Sequence, residues 1–406
     1  MTRDVVLTIG TRMLKIVAGL AAVTVTAQAL GDAGRGEYFF VVTIAAVLVQ
    51  LGNAGLHATN TFEVARDRRL FEPLLANSTW LAAIGGISLA AVTLAAAKLF
   101  GWFSDTPREH LLPLLAFTPA LLFVLLASNL LVGMGRLTAF NAFEGLAALV
   151  LVGAVSVAAA AGLAVEGFLL VTALSWSLLA IGLFAWVRRG TSHLRFRWPV
   201  LRKGVRYSFR AYLLALVAFL VLRGNVFVLD QAAGKEELGR YSIALQVFDV
   251  LIVLPSSVAL VLFPKLVGDA DGGWNRMIRS MLPMALLSFA AAAIAGLVAR
   301  PVFGAVFGAE FRPAAEMLWW MLPGVVCVSL ATLVSQYLAA IEYPLEVIAA
   351  WIVTLVAVLA ISAVLTPDHG GVGAGAALSI GYAMLLIALV AIAVRRNAAF
   401  GRSGTH

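Results

Sequence analysis

Apolar stretches of about 20 residues recur twelve times along this chain, near 5–30, 37–61, 74–98, 111–133, 139–162, 167–187, 207–230, 240–263, 280–299, 315–340, 345–365 and 373–394. At 1.5 Å per residue, each is long enough to cross a ~30 Å hydrocarbon layer as a helix. A transmembrane β-barrel would instead alternate apolar and polar residues over ~10-residue segments. Lipid offers the backbone no hydrogen-bond partners, so contiguous apolar runs of this length must be helices. Charge is correspondingly scarce: charged residues make up 12% of the chain and hydrophobic ones 62%. A water-soluble domain carries about 25% charge.

The chain also repeats itself. Gly31, Gly36 and Tyr38 define a Gly-x4-Gly-x-Tyr spacing that returns 203 residues later, half the chain length, at Gly234, Gly239 and Tyr241. Each copy lies in a short polar turn between two apolar runs. A membrane chain whose second half repeats its first reads as a transporter. The predicted fold class is therefore all-α: a polytopic membrane protein with 12 transmembrane helices in two pseudo-symmetric six-helix bundles around a central cavity. The expected divisions are 1–187 for the first bundle, 188–206 for a basic cytoplasmic linker, and 207–406 for the second bundle with a short basic cytoplasmic tail. The linker carries Arg188, Arg189, Arg195, Arg197, Arg202, Lys203 and Arg206. Its apolar residues Leu194, Phe196, Trp198 and Leu201 suit a short helix lying along the membrane surface.

With the N-terminus inside, the inner segments hold 18 Lys and Arg, Lys265 among them, and the outer segments hold 7. This bias places both termini in the cytoplasm, with the chain in the cytoplasmic membrane. Much of the net charge of +8 is thus topogenic, and no nucleic-acid partner is implied. Ala27-Gln28-Ala29 resembles a signal-peptidase site, but Arg12 and Lys15 interrupt the apolar region such a signal needs. The single cysteine, Cys327, excludes a disulfide framework and a Cys-based metal site. His57, His110, His193, His369 and His406 are scattered without ligand spacing. No metal, cofactor or catalytic residue is expected, because no Ser-His-Asp set, P-loop or HExxH motif is present.

Four basic residues fall inside spans: Arg12, Lys15, Arg210 and Arg223. A charge at the bilayer centre costs roughly 2.5–3.5 kcal/mol, so each calls for a reason. On helix one, Thr8, Arg12, Lys15, Gly19, Ala22 and Thr26 share a face at 100° per residue. Arg12 and Lys15 either face an aqueous lumen or snorkel to the inner interface. On helix two, Thr43, Gln50, Asn53, His57, Asn60 and Thr61 form a stripe within about 100°, read as a wetted wall. His57 alone would more often be a satisfied packing residue. Arg223 lies about 10 Å below the outer end of helix seven, too deep to snorkel freely. Asp230 falls on its face seven residues later, and Asp249 runs to a similar depth on helix eight with Gln246 and Ser256. Arg223 and Asp249 either staple two helices as an ion pair or form an anion contact tuned by an acid. Arg210 snorkels. Asn141 and Glu144 begin helix five, Ser329, Thr332 and Gln336 mark helix ten, and Gly371-x3-Gly375 reads as close helix packing.

Ala29-Leu30-Gly31-Asp32-Ala33-Gly34-Arg35-Gly36-Glu37-Tyr38 resembles the turn of Wzx-type oligosaccharide-lipid flippases, within the multidrug/oligosaccharidyl-lipid/polysaccharide exporter superfamily. Asn225, Asp230-Gln231, Glu237-Leu238-Gly239-Arg240-Tyr241-Ser242-Ile243-Ala244, Leu254-Pro255 and Leu262-Phe263-Pro264-Lys265 are similar to that family's seventh-to-eighth span region. The resemblance runs end to end. It implies a cavity lined by helices one, two, seven and eight, and a lipid-linked oligosaccharide on a polyprenyl pyrophosphate, flipped by alternating access for polysaccharide export. Many members carry Arg where this chain has Gln28, so that basic contact is absent or relocated.

On this reading Arg12, Lys15 and Arg223 are the cavity cations, since Arg grips phosphate oxygens bidentately. Gln50, Asn53, His57 and Asn60 supply a polar wall suited to sugar hydroxyls. Asp249, Asp230, Glu144 and His57 are candidates for ion coupling. Expected partners are the lipid-linked substrate, the bilayer, and a glycan polymerase and glycosyltransferases of the same pathway. Two rivals stand beside it. An ion-coupled drug or cation antiporter of the same superfamily would prefer an acidic cavity. A membrane glycan polymerase or ligase would carry a large outer loop, and the outer loops here are short.

Overall fold

The computed structural model describes residues 2–189, 191, 194–267, 273–340 and 344–403; His193, His406 and the side chains of Ser256 and Lys265 lie outside the described residues. Every regular element among them is helical. The order is α1 (Thr2–Gly52), α2 (Leu56–Arg66), α3 (Phe71–Trp80), α4 (Gly86–Phe100), α5 (Arg108–Leu111), α6 (Leu114–Gly133), α7 (Leu137–Ala160) and α8 (Val165–Val187). Then come α9 (Trp198–Arg223), α10 (Asn225–Val267), α11 (Gly273–Val306), α12 (Ala314–Ala340) and α13 (Leu345–Ser403).

Among the described residues, nine helices are long and apolar enough to cross a membrane. Three of them, Leu7–Gly52, Ser208–Val253 and Leu345–Ala398, run 46, 46 and 54 residues, too long for one crossing. Each contains one glycine in a conformation closed to other residues: Gly31 (φ 67, ψ −178), Gly234 (φ 79, ψ −175) and Gly370 (φ 52, ψ −135). Divided there, the nine helices supply twelve segments of spanning length, the number read from the sequence. The polar turns expected at the two repeats are thus reduced to single hinge residues. Gly31 and Gly234 differ by only 12° in φ and 3° in ψ. The tyrosine seven residues beyond each is buried and hydrogen-bonded through its hydroxyl, Tyr38 to Thr172 at 3.0 Å and Tyr241 to Asn225 at 2.5 Å.

The chain forms two compact units, Met1–Leu216 and Val217–His406. In the first, α6 is the most buried span. It is apolar all round, as a helix enclosed by others must be. Close approach is permitted by glycine: a Cβ at Gly133 would sit 2.7 Å from the Thr61 carbonyl, and one at Gly86 2.7 Å from Pro119 Cα. The first arm of α1 lies along α7, where Asn141 Nδ2 donates to Thr8 Oγ1 at 3.0 Å and Lys15 pairs with Glu144. Residue numbers rise together in these contacts, so spans one and five run parallel, as alternate crossings require. In the second unit α12 has the corresponding place, and Gly371 and Gly375 of α13 pack directly on Met317. A Cβ at Gly375 would meet the Met317 carbonyl at 2.9 Å.

Two local expectations fail. Among its described residues the linker forms no separate surface helix. Residues 194–197 are non-helical, and Asn77 holds Arg197 by both backbone groups, at 3.0 Å to its carbonyl and 2.8 Å from its N–H. Helix then begins at Trp198 and runs without a break into span seven. Span two, expected as one helix over 37–61, is interrupted at residues 53–55, where Ala54 (φ 45) and Gly55 (φ 80) are left-handed.

Candidate functional site

In the first unit the interruption of span two is built around Asn53, which is fully buried. Its Nδ2 donates to the Gln50 carbonyl at 3.0 Å and to Gln50 Oε1 at 2.8 Å. Its Oδ1 accepts from the Gly55 N–H at 2.8 Å and contacts His57 Nδ1 at 2.9 Å. An oxygen already accepting from a backbone N–H can only accept again, so Nδ1 of His57 carries the proton and Nε2 keeps its lone pair. The Leu51 carbonyl, released by the break, accepts from Tyr212 Oη at 3.0 Å. Gly55 must be glycine, because a Cβ would lie 2.6 Å from Ser208 Oγ.

This arrangement corrects the wetted wall expected on helix two. Asn53 and Asn60 are buried, and Asn60 donates to Ser78 Oγ at 2.9 Å and the Leu126 carbonyl at 3.0 Å. Thr61 reaches Asn129 at 3.1 Å. These groups join α2 to α3 and α6, as polar side chains do where lipid offers no alternative. The reckoning of one continuous stripe assumed an unbroken helix, and the left-handed residues at 54–55 reset its phase. Gln50 and His57 remain partly exposed.

Arg12 is exposed on α1, and Lys15, half exposed, is paired with Glu144 of α7. A cation and an acid singled out separately in the sequence are therefore one ion pair. The second unit repeats the pattern. Arg223 ends α9, and its Nη2 lies 2.5 Å from Asp249 Oδ2 on α10, with the side chains 19% and 25% exposed. The structure thus contains the Arg223–Asp249 pair that the sequence left as one of two alternatives. Nη1 of Arg223 is buried with no hydrogen-bond partner. Asp230 is held by Lys235 at 2.7 Å across the Gly234 hinge, a different ion pair from that of Arg223. On helix ten, Ser329 and Thr332 donate to the carbonyls four residues earlier in their own helix.

Two features escaped the sequence reading. Arg35, counted only as an outer cation, is 5% exposed. It donates from Nη1 to Thr26 Oγ1 at 2.9 Å and stands 5.7 Å from the Tyr38 ring centre. Its guanidinium reaches back over the hinge to the turn of α1 that carries Gln28. The signal was Thr26 on the polar face of helix one. Glu237, the second, accepts from the Gly371 N–H at 2.9 Å and from Arg240 at 3.1 Å. It ties the hinge at Gly234 to the break at Gly370.

Two helical units, each kinked at a repeated glycine and built from helices long and apolar enough to cross a membrane, define a multi-pass membrane protein. The chain belongs to the polysaccharide biosynthesis protein family, whose model matches residues 36–316. Its fold is similar to that of an inward-facing multidrug resistance MATE family transporter of the MOP superfamily, with TM-score 0.78 and 15% identity over 96% of each chain. It is equally similar to the lipid II flippase MurJ in an inward closed conformation, with TM-score 0.79 and 11% identity over 96% of this chain and 87% of that one. An outward-facing MATE structure matches at TM-score 0.68 and 17% identity, over 97% of this chain and 94% of the other. Comparison with curated protein sequences finds no significant match.

Proposed function

We propose that this transporter flips an oligosaccharide linked to a polyprenyl pyrophosphate across the cytoplasmic membrane by alternating access, both termini being cytoplasmic. The observation that carries the reading is the Arg223–Asp249 pair with its unpartnered Nη1, in a chain of the polysaccharide biosynthesis family. The pair keeps a cation tolerable in the membrane while no substrate is bound. A pyrophosphate brings more charge than one carboxylate and can engage both Nη1 and Nη2, the fork geometry at which arginine excels. Asp249, displaced, takes up a proton or a metal cation, which links substrate binding to an ion gradient. Lys15 and Glu144 act in the same way in the first unit, with Arg12 as a further cation. Gln50 and His57 offer the donor and acceptor that sugar hydroxyls need. A glycan polymerase and glycosyltransferases supply the partner steps.

Removing Arg223 alone would leave a partly buried acid unpaired, a cost of about 3–5 kcal/mol for a fully buried pair and less here. The informative variant is therefore the neutral pair R223Q/D249N. It is expected to reach wild-type membrane abundance, to lose surface glycan, and to strand lipid-linked oligosaccharide on the inner leaflet. Normal export by that variant removes Arg223 from the mechanism. The likeness to multidrug MATE transporters favours a second reading, a drug antiporter. A deletion strain with normal glycan and altered drug resistance would establish it instead.

A further inference from the structure

The exposed surface of the first unit carries a trough between α7 and α8 that no step of the proposed transport uses. Its walls are low because small residues oppose each other: Ala139 and Ala142 on α7, Gly182 on α8. The buried Phe143 and Leu183 form its floor, and Trp186 rims one end. The cavity is about 570 Å³, within the ~300–1,000 Å³ of sites that hold small ligands. It extends along α7 from Ala139 to Val150, about 17 Å at 1.5 Å per residue. That is close to half of a ~30 Å hydrocarbon core, the depth of one leaflet.

The Trp186 end is the charged one. Arg136 lies one residue before α7, and Arg188 and Arg189 follow α8 directly, all three exposed. Arg188 stands 5.9 Å from the ring centre of Phe184, which packs on Phe123 and does not line the trough, so Arg136 and Arg189 are the cations at this end. Residues 136–143 and 183–191 contain no acid. Among the described residues none of these three arginines pairs with a carboxylate, unlike Lys15 and Arg223. Any groove in a membrane fills with hydrocarbon. A groove one leaflet deep with uncompensated arginines at its mouth selects the headgroup as well.

We propose that this trough binds one anionic phospholipid of the leaflet onto which it opens, with an acyl chain along Ala139, Ala142 and Gly182 and the phosphate at Arg136 and Arg189. The Lys/Arg bias assigns that leaflet to the cytoplasmic side, where anionic lipid attracts such clusters. The site is independent of the flipping reaction and of the Arg223–Asp249 pair.

The test is native mass spectrometry of the full chain in detergent with equimolar phosphatidylglycerol and phosphatidylethanolamine. The wild type is expected to retain one phosphatidylglycerol in preference to phosphatidylethanolamine. One basic side chain at an anionic surface changes affinity roughly fivefold, so R136Q/R189Q should lose a preference of up to about twenty-five-fold. G182F should lose the bound lipid altogether. A Cβ at Gly182 meets nothing within 4 Å, so the phenylalanine fills the trough without displacing backbone; A142L, from the facing wall, checks the result if G182F accumulates poorly. Unchanged phosphatidylglycerol retention in the arginine variant, or in both trough-filling variants, overturns the proposal. So does stronger retention of added polyprenyl phosphate at the same site, which would assign the trough to the carrier lipid.

Discussion

Substituting the hinge at Gly234 tests how much of the repeat is backbone conformation. Its φ of 79 and ψ of −175 lie in a region essentially closed to residues with a Cβ. A Cβ there would meet nothing within 4 Å, so G234A carries no steric clash with neighbours and its whole effect is local strain. That strain is about 1–3 kcal/mol. For a unit of this size 1 kcal/mol moves a midpoint by about 2–4 °C, so thermal unfolding of the purified protein should fall by roughly 2–12 °C. The control separates this from ordinary left-handed strain. Gly101 (φ 68, ψ 20) sits in the αL region, where Asn is tolerated, and also has open space around it. G101N should therefore leave the midpoint nearly unchanged, whereas G234N should be as damaging as G234A. A wild-type midpoint in G234A, or rescue by G234N, would refute the argument that this conformation is why both halves repeat a glycine.

Two further outcomes follow from close contacts. N53A removes the amide that closes the break in span two and leaves the Gly55 N–H and Gln50 groups short of partners, a loss of about 1–3 kcal/mol; an unchanged unfolding midpoint would show that the break holds itself. G375V drives a side chain into the Met317 carbonyl, which a Cβ already approaches to 2.9 Å. The backbone cannot yield there as a flexible side chain could, so folded protein recovered from membranes should drop severalfold, and full recovery on gel filtration would contradict the packing.

What could be read from the sequence follows from which physics is local. Twelve spans and the repeat were legible because span length and glycine placement are fixed by the bilayer and by backbone sterics alone. Gly371 and Gly375 announced close packing for the same reason. The break in span two was not read, although Gly52 and Gly55 bracket it, because the apolar pattern continues through it. Every angular argument on that helix then lost its meaning beyond residue 52, and Asn60 went from wall to tie. Arg35 was missed because a charge in a turn between spans is ordinarily solvated, and its burial depends on the hinge folding it back toward Thr26.

The embedded charges show where sequence reasoning met its limit in a more useful way. Arg223 and Lys15 were read as cations and Asp249 and Glu144 as acids, with pairing foreseen only as one alternative for Arg223 and Asp249. In each unit the structure joins one of the first to one of the second. A hydrocarbon environment leaves little alternative, since an isolated charge must find a counterion, water or the interface. The pairs therefore do not by themselves argue for transport; a staple would look the same. What differs is the remaining hydrogen-bond capacity. Asn53 uses both amide hydrogens and its oxygen within its own turn, and has nothing left to offer a ligand. Arg223 uses Nη2 on Asp249 while its Nη1 is buried and unpartnered. A guanidinium kept one-fifth exposed with a donor in reserve is poorly designed as a staple and well placed to change partners. If R223K supports export as well as arginine does, that reserve is irrelevant, because an ammonium keeps the charge and loses the fork.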